Sequence, residues 1–589
     1  MREFLYFFFN YYLLMSDIEI KNLEKLLDFD NNNKKYILDK FINNYFDKYN
    51  NEYKDSYIDV SNEIYKDTNI LKWSDNIPIL DGSKILLNNI IKNPINNKEL
   101  LLKRQKSYFL DYDDDSFDIL KEYENDILWI YKLNEEINND NAINILFPTS
   151  IFWKLINEYE YLLDSYHIYR ILFVPLSALF YPLTAFFAPY YYVKKYLKFD
   201  ISVYSYFSVI KNFFSIFFQN TGNFKYNIFK FIVFCLYIFL YLYSIYQNFE
   251  FSYMLYKTKK ILHKKMQGVI NFINESNKII NYFNNNIANV NNIISCYVTS
   301  DINYNVINIT NTMTNIYKFW KNKNNIKDII DNLLITIYTL DIINQISKTK
   351  FNLNYSFPQY NNQITQIWNM KNPLLSDMQI SNPLSLNKNI IITGPNAAGK
   401  TTYVKSLLSN IILSQTIGLT YSNKSLIKIY DCIYSFMRIN DELGSKSYFE
   451  AEAELCAKMI NKSIDIQNLN KSGIFFMDEP MHSTPPIEGI STAYAVCEKI
   501  GTNTNVDLLI TTHFFKLTTL ENTYPYNFIN LSVNAIHNID NTFTFPYKIK
   551  KGSSNQCIAI ELLDKKNFPE DVINSAKNIK KIICNNYLD

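Results

Sequence analysis

The sequence carries almost no net charge: 59 Lys and Arg stand against 57 Asp and Glu, +2 over 589 residues. This gives no global electrostatic case for nucleic-acid binding, although a basic face can hide in a balanced total. Cysteine is sparse and scattered, seven residues at 235, 296, 432, 456, 497, 557 and 584 with no Cys-x-x-Cys. That pattern argues for a reducing compartment and against a structural zinc. With only five histidines, each one is informative. Asn, Ile, Lys and Tyr are abundant instead, a bias that an AT-rich coding sequence produces and that marks no structural class. The asparagine runs at 31–33 and 284–286 read as loops or solvated helix faces. The length predicts about two to four domains.

The chain is organised around Ile390–Ser406, I-I-I-T-G-P-N-A-A-G-K-T-T-Y-V-K-S. Three isoleucines signal a short buried strand, and a helical pattern follows Gly399-Lys400-Thr401. This is G-x-x-x-x-G-K-[ST] between a strand and a helix, the context that gives the motif its meaning. Backbone N–H groups of Gly394, Pro395–Ala398 (Asn396, Ala397 and Ala398 as donors), Gly399 and the helix start through Thr402 converge on one spot, with the positive helix end behind them. The two glycines let the loop fold tightly. Lys400 supplies a point charge for β and γ phosphates, and the Thr401 hydroxyl suits Mg²⁺. The expectation is a nucleoside triphosphate site, ATP with Mg²⁺.

Gly473–Glu479, G-I-F-F-M-D-E, reads as a buried parallel strand ending in two carboxylates. Asp478 is placed in the metal shell, and Glu479 orients or deprotonates an attacking water. Leu508–His513, L-L-I-T-T-H, is the next buried strand. His513 either senses the γ-phosphate or the water, or is a satisfied structural histidine. Strand–helix alternation predicts a mainly parallel sheet with ligands at the strand carboxyl ends. Ser447 precedes a helix carrying Glu450, Glu452 and Glu454. It reads as an N-cap, with the glutamates at the positive helix end, or as a signature loop reaching a second protomer's nucleotide.

Elsewhere the text is helical. Phe4–Met15 is apolar but too short to span a bilayer: a signal-like or interfacial segment, or a buried or frayed element. Ile171–Val193 carries no charge and is long enough to span. Its prolines 175, 182 and 189 are seven apart, roughly on one face, and suggest a kinked span or a re-entrant segment. Phe231–Asn248 is a second uncharged, tyrosine-rich run, and Ile201–Phe218 between them reads as an interfacial helix. The reading is a membrane hairpin; the alternative is a pair of very apolar core helices, because 16% aromatic content lifts every hydropathy window. Lysines on both flanks leave the orientation open. Tyr253 to about Asn322 reads as long polar lever helices, and Leu333–Ile346 as a buried helix. Five segments result: 1–79, an N-terminal helical segment; 80–170, the first half of a helical core; 171–248, the membrane hairpin; 249–350, levers and the second half of the core; and 351–589, the α/β ATPase domain.

Together these blocks resemble the MutS family of DNA mismatch repair ATPases. T-G-P-N-A-A-G-K-T-T-Y (393–403), F-M-D-E-P-M-H-S-T-P-P-I-E-G-I-S (476–491), T-T-H-F-F-K-L (511–517) and F-P-E-D-V-I-N-S-A (568–576) are similar to its phosphate loop, magnesium-site strand, histidine switch and C-terminal helix start. Asn382-Pro383-Leu384 also fits. D-G-S-K-I-L-L…N-P-I…L-L-K-R-Q (81–105) and L-D-I-I-N-Q-I (340–346) look like the two halves of its helical core. The resemblance implies a P-loop ATPase domain of ABC/MutS type, a homodimer with composite ATP sites in which Ser447 faces the partner's γ-phosphate, and DNA as a ligand. The departures are specific. The family's mismatch-reading Phe-x-Glu occurs only as Phe568-Pro569-Glu570, beyond the ATPase core, and there is little room before Leu80 for that module. Membrane-like segments occupy the place of the DNA clamp. The usual glycine-rich loop after the Asp-Glu pair is M-H-S-T-P-P, and the signature loop is one residue short. Both core halves must pack together, so the membrane is crossed twice or not at all. An ABC-type transporter is disfavoured because no L-S-G-G-Q is present. The expected location is a membrane, with the ATPase domain on its reducing side.

Overall fold

The computed structural model describes residues 31–586, apart from 109–111, 113–114, 136–143, 151–153, 220–223, 287–292, 299–309, 322, 353–354, 377, 438–447, 539–542, 557, 559, 562 and 564–567. Phe4–Met15 and Ser447 therefore lie outside the described residues. The chain divides into two compact units. One comprises described residues of Met1–Ile37, Ile119–Ile279 and Asn303–Asp331; the other, those of Leu38–Asp118, Ile280–Ile302 and Asn332–Asp589.

The first unit carries the apolar runs. Helix Glu160–Ile168 passes through a π-helical turn, Tyr169–Phe173, into α1 (Val174–Lys195). α2 (Val203–Phe218) follows, then α3 (Phe224–Asn286), a 63-residue helix that joins the second apolar run and the beginning of the polar lever text into one element. The apolar window of α3 is wholly unburied. The path from Glu160 to Lys195 bends by 62° between Thr184 and Phe186. Pro189 explains the place: its ring clashes with the carbonyl four residues back, at Ala185, and it offers that carbonyl no N–H. Pro175 and Pro182 likewise free the carbonyls of Ile171 and Ala178. Both find hydroxyls on α3: Ser252 donates to Ile171 O, and Tyr241 donates to Leu179 O at 2.9 Å and Ala178 O at 3.4 Å. The backbone opened by the first two prolines is thus met from α3.

In the second unit, two helical segments far apart in sequence pack together. The buried carboxylate of Asp341 accepts from the backbone N–H groups of Ile79 (3.1 Å) and Leu80 (2.9 Å), capping the start of helix Asp81–Lys92. The Tyr338 ring lies against Gly82, where a Cβ would come within 2.2 Å of it. Helix Lys323–Asn352 contains an apolar stretch long enough to span a membrane, Lys327–Thr349, but 83% of it is buried.

The main sheet has seven strands: β1 (Asp59–Val60), β2 (Asn389–Thr393), β3 (Cys432–Phe436), β4 (Gly473–Asp478), β5 (Val506–Thr511), β6 (Phe528–Val533) and β7 (Ile549–Lys551). Their order is β1-β3-β4-β5-β2-β6-β7, parallel except for the β6–β7 edge pair. β2, β3 and β4 are buried at every position, which is why they read as continuous apolar runs. A smaller four-stranded sheet is built from Gln359–Asn361, Lys424–Lys428, Thr365–Met370 and Asn382–Leu386.

β1 belongs to the stretch read from sequence as purely helical. It extends the sheet at β3, and Asp67 just beyond it accepts a 2.8 Å hydrogen bond from Ser435 of β3. A two-residue strand is too short for alternation to show.

Candidate functional site

The site lies where β2, β4 and β5 end. β2 runs into a loop that requires two glycines. Gly394 has φ +149°, and a Cβ there would lie 2.2 Å from Val533 O; Gly399 has φ +94°. Ala397 between them is also left-handed, at φ +66°. α4 (Lys400–Thr416) starts at once, and no side chain caps its first turn. Its amino end therefore faces the loop with its own N–H groups as donors. The Lys400 ammonium is buried and donates to Gly394 O (2.8 Å) and Pro395 O (3.3 Å).

β4 and β5, paired in register from Gly473↔Val506 to Asp478↔Thr511, bring the acidic groups alongside. Asp478 accepts from Thr401 Oγ1 at 3.0 Å and from Thr511 Oγ1. Glu479 leaves the strand with φ +53°, its N–H donating to Thr511 O at 2.9 Å. That uncommon backbone conformation for a non-glycine residue is held by the strand pairing around it. The Glu479 side chain is only 9% exposed, and its Oε1 lies 2.7 Å from His513 Nε2. The same nitrogen is 2.6 Å from Asn396 Oδ1 and 3.2 Å from Lys400 Nζ. The two acceptors, Glu479 Oε1 and Asn396 Oδ1, call for a proton on Nε2, and the Lys400 ammonium is then a close cation and not its hydrogen-bond partner. Loop, lysine, carboxylate and histidine thus share one hydrogen-bonded knot.

Thr401, Asp478, Glu479, Lys400, Asn396 and His513 are brought together, and Thr402 in the first turn of α4 is exposed. Of the three glutamates after Ser447, Glu452 is almost fully buried and accepts from the Ser483 N–H at 3.2 Å and from its hydroxyl. It therefore ties the M-H-S-T-P-P loop to helix Tyr448–Asn468.

A cavity of about 600 Å³ opens beside the loop, within the range of small-molecule sites. It is lined by Pro395–Tyr403 and Glu479, and also by Ile380, Met378 and Tyr547, which sequence reasoning missed. Tyr547 sits at φ +51° with its ring 3.0 Å from where a Gly399 Cβ would be, and Asn382 Nδ2 donates to its carbonyl at 2.8 Å. No local pattern marks Tyr547; it reaches the loop from the connection between β6 and β7.

The donor set suits a hard cation of the Mg²⁺ kind: a threonine hydroxyl and a carboxylate, adjacent and oxygen-only, beside a cavity large enough for a phosphate chain.

Polar groups gathered at the carboxyl ends of a mostly parallel sheet, around a glycine-bounded loop and a helix start, define an α/β domain of ligand-binding architecture. Residues 390–583 match the family model MutS domain V, an ATPase-type domain. The chain is 30% identical over 273 residues to the DNA mismatch repair protein MutS of Clostridium perfringens, covering 44% of this chain and 29% of that protein. The corresponding proteins of Pseudothermotoga lettingae and Finegoldia magna are 25% and 27% identical, each over 42% of this chain and 30% and 29% of their own lengths. Over these residues the chain is similar to the MutS family. It spans about three tenths of the length of the curated relatives it matches.

Proposed function

We propose that this chain is an ATP-binding and ATP-hydrolysing switch of the P-loop kind, working as a dimer and anchored in a membrane by α1 and α3. The observation that carries the catalytic part is the knot at His513 Nε2, within 2.7 Å of Glu479 and 3.2 Å of Lys400. Lys400, now resting on the loop's own carbonyls, binds the β and γ phosphate oxygens. Thr401 and Asp478 would hold Mg²⁺, which would supply charge neutralisation on the phosphates. Glu479 orients the attacking water or accepts its proton, and His513 couples that carboxylate to the loop through Asn396. In the dimer, Ser447 faces the partner's γ-phosphate, as the family resemblance implies.

The membrane part is supported by the unburied apolar window of α3 and by the hydroxyls that meet the proline-freed carbonyls, since backbone groups in lipid must be satisfied internally. DNA is the partner that family resemblance and the names of the relatives suggest. The second reading is an ATPase that acts on the membrane or a membrane protein without mismatch recognition. It is favoured by apolar helices lying between the two core halves.

ATP turnover by the purified full chain tests the catalytic proposal. Glu479→Gln is expected to retain ATP binding and lose about 10²–10⁴-fold in hydrolysis; wild-type turnover in that variant would remove Glu479 from its role.

A further inference from the structure

Where the apolar helices emerge, the first unit has a second cavity, of about 470 Å³. Its lining is almost entirely apolar, from Ile171 and Leu172 of the π-helical turn, Ile168 before it, and Tyr256 on α3. Lys259 and Lys260, with His263 one turn further along, also line it, mostly with their hydrocarbon stems, which leaves the charged ends to the rim. Leu172 and Tyr256 are each more than half exposed.

The position of this cleft is fixed by Ser252 and Ile171, whose hydrogen bond sits at the end of the uncharged run that begins after Arg170. The next two turns of α3 place Lys257, Lys260 and Lys264 on one exposed face. Side chains on a helix lean toward its amino end. On α3 that direction points back to the apolar run, so these lysines reach toward the boundary and not away from it. Asp164 holds Lys259 at 2.7 Å, neutralising one charge and fixing the ammonium at the cleft. His263 is held by Asn311, Nδ1 to Oδ1 at 3.0 Å. The other lysines leave an excess of positive charge.

We propose that this cleft binds an anionic phospholipid, its phosphate at the rim on Lys260, beside the Asp164-paired Lys259, and its first acyl carbons against Ile171, Leu172 and Tyr256. An aqueous anion would not need the apolar wall, and a neutral lipid would not need the lysines. The inference rests on the membrane reading of α1 and α3. Basic residues just outside a span each add about 1 kcal/mol of attraction to anionic lipid, roughly a fivefold effect.

The test uses the full chain, reconstituted in vesicles of phosphatidylcholine alone and of phosphatidylcholine with phosphatidylglycerol at 4:1. Two quantities are read: flotation with the vesicles, and the ratio of the two lipids retained after mild detergent extraction. Wild type is expected to float with both and to retain phosphatidylglycerol several-fold above its bulk share. The Lys259→Ala/Lys260→Ala double variant is expected to float equally and to retain lipid at the bulk ratio. Lys260→Glu, at an exposed position, is expected to lower the enrichment without the risk of unfolding, and Lys260→Arg to keep it. Wild type that floats but retains lipid at the bulk ratio overturns the headgroup site and leaves the membrane reading standing. Enrichment that persists in the double variant and in Lys260→Glu also overturns the site. Wild type that does not float overturns both.

Discussion

Arg104 shows how one residue can join the helical core to the candidate site. Its Nε donates to Cys296 O at 2.9 Å, its Nη1 donates to Thr416 O at the end of α4, and its guanidinium lies 5.0 Å over the Tyr297 ring. The residue is buried and aimed at the negative end of the helix whose other end follows the glycine-bounded loop. Removing it leaves those carbonyls without a cationic donor. Arg104→Ala is expected to destabilise the protein by about 2–4 kcal/mol, read as a lower urea midpoint, with Arg104→Lys rescuing little because an ammonium lacks the fork. The sequence marked Arg104 only as part of L-L-K-R-Q. Its partners, 192 and 312 residues away, carry no local signal.

At the scale of elements, the proline helix and α3 hold each other through hydroxyl–carbonyl contacts. Tyr241→Phe keeps the ring and removes the donor to Leu179 and Ala178. The expected loss is about 1 kcal/mol in a detergent unfolding assay, with helix content unchanged. Just before the first apolar run, His167 is buried in helix Glu160–Ile168. Its Nε2 lies 2.9 Å from Leu146 O, so that nitrogen carries the proton and donates. Nδ1 is buried and without a partner. Burial pushes the His167 pKa down to about 4. A histidine depressed in the folded state contributes fully above pH 6.5 and loses that contribution as pH falls from 6.5 toward 4. The loss is expected to reach about 3 kcal/mol at most. His167→Gln, which can still donate to Leu146, should flatten the stability profile across that window; an unchanged profile would assign the acid sensitivity elsewhere.

For the whole molecule, balanced charge and two apolar helices make different demands on the two readings. A chain that grips DNA must gather lysines into one face, and its affinity then falls steeply with salt, the logarithmic slope being about −0.9 per phosphate contacted. Full-length protein in phosphatidylcholine nanodiscs, titrated with duplex DNA at several salt concentrations, separates the readings. A slope of several units supports the DNA-binding one, and binding that is absent or insensitive to salt leaves the ATPase acting at the membrane. Retention of the full chain in the membrane after alkaline carbonate washing is the expected result for α1 and α3 in either case.

The sequence alone determined the patterns that contiguous residues carry. A phosphate loop works through successive backbone amides, so G-P-N-A-A-G-K-T must be continuous, and a buried parallel strand must be apolar throughout, so F-F-M-D-E and L-L-I-T-T-H stand out. Proline spacing also located the helix distortion, because a missing N–H acts on the carbonyl four residues back. Tertiary structure decided what depends on neighbours distant in the chain: β1 joining the sheet, Tyr547 reaching the loop, and hydroxyls of α3 meeting the opened carbonyls. The buried helix read at Leu333–Ile346 is enclosed by protein while the apolar window of α3 is not, because burial belongs to what packs around a helix as well as to the helix's own composition.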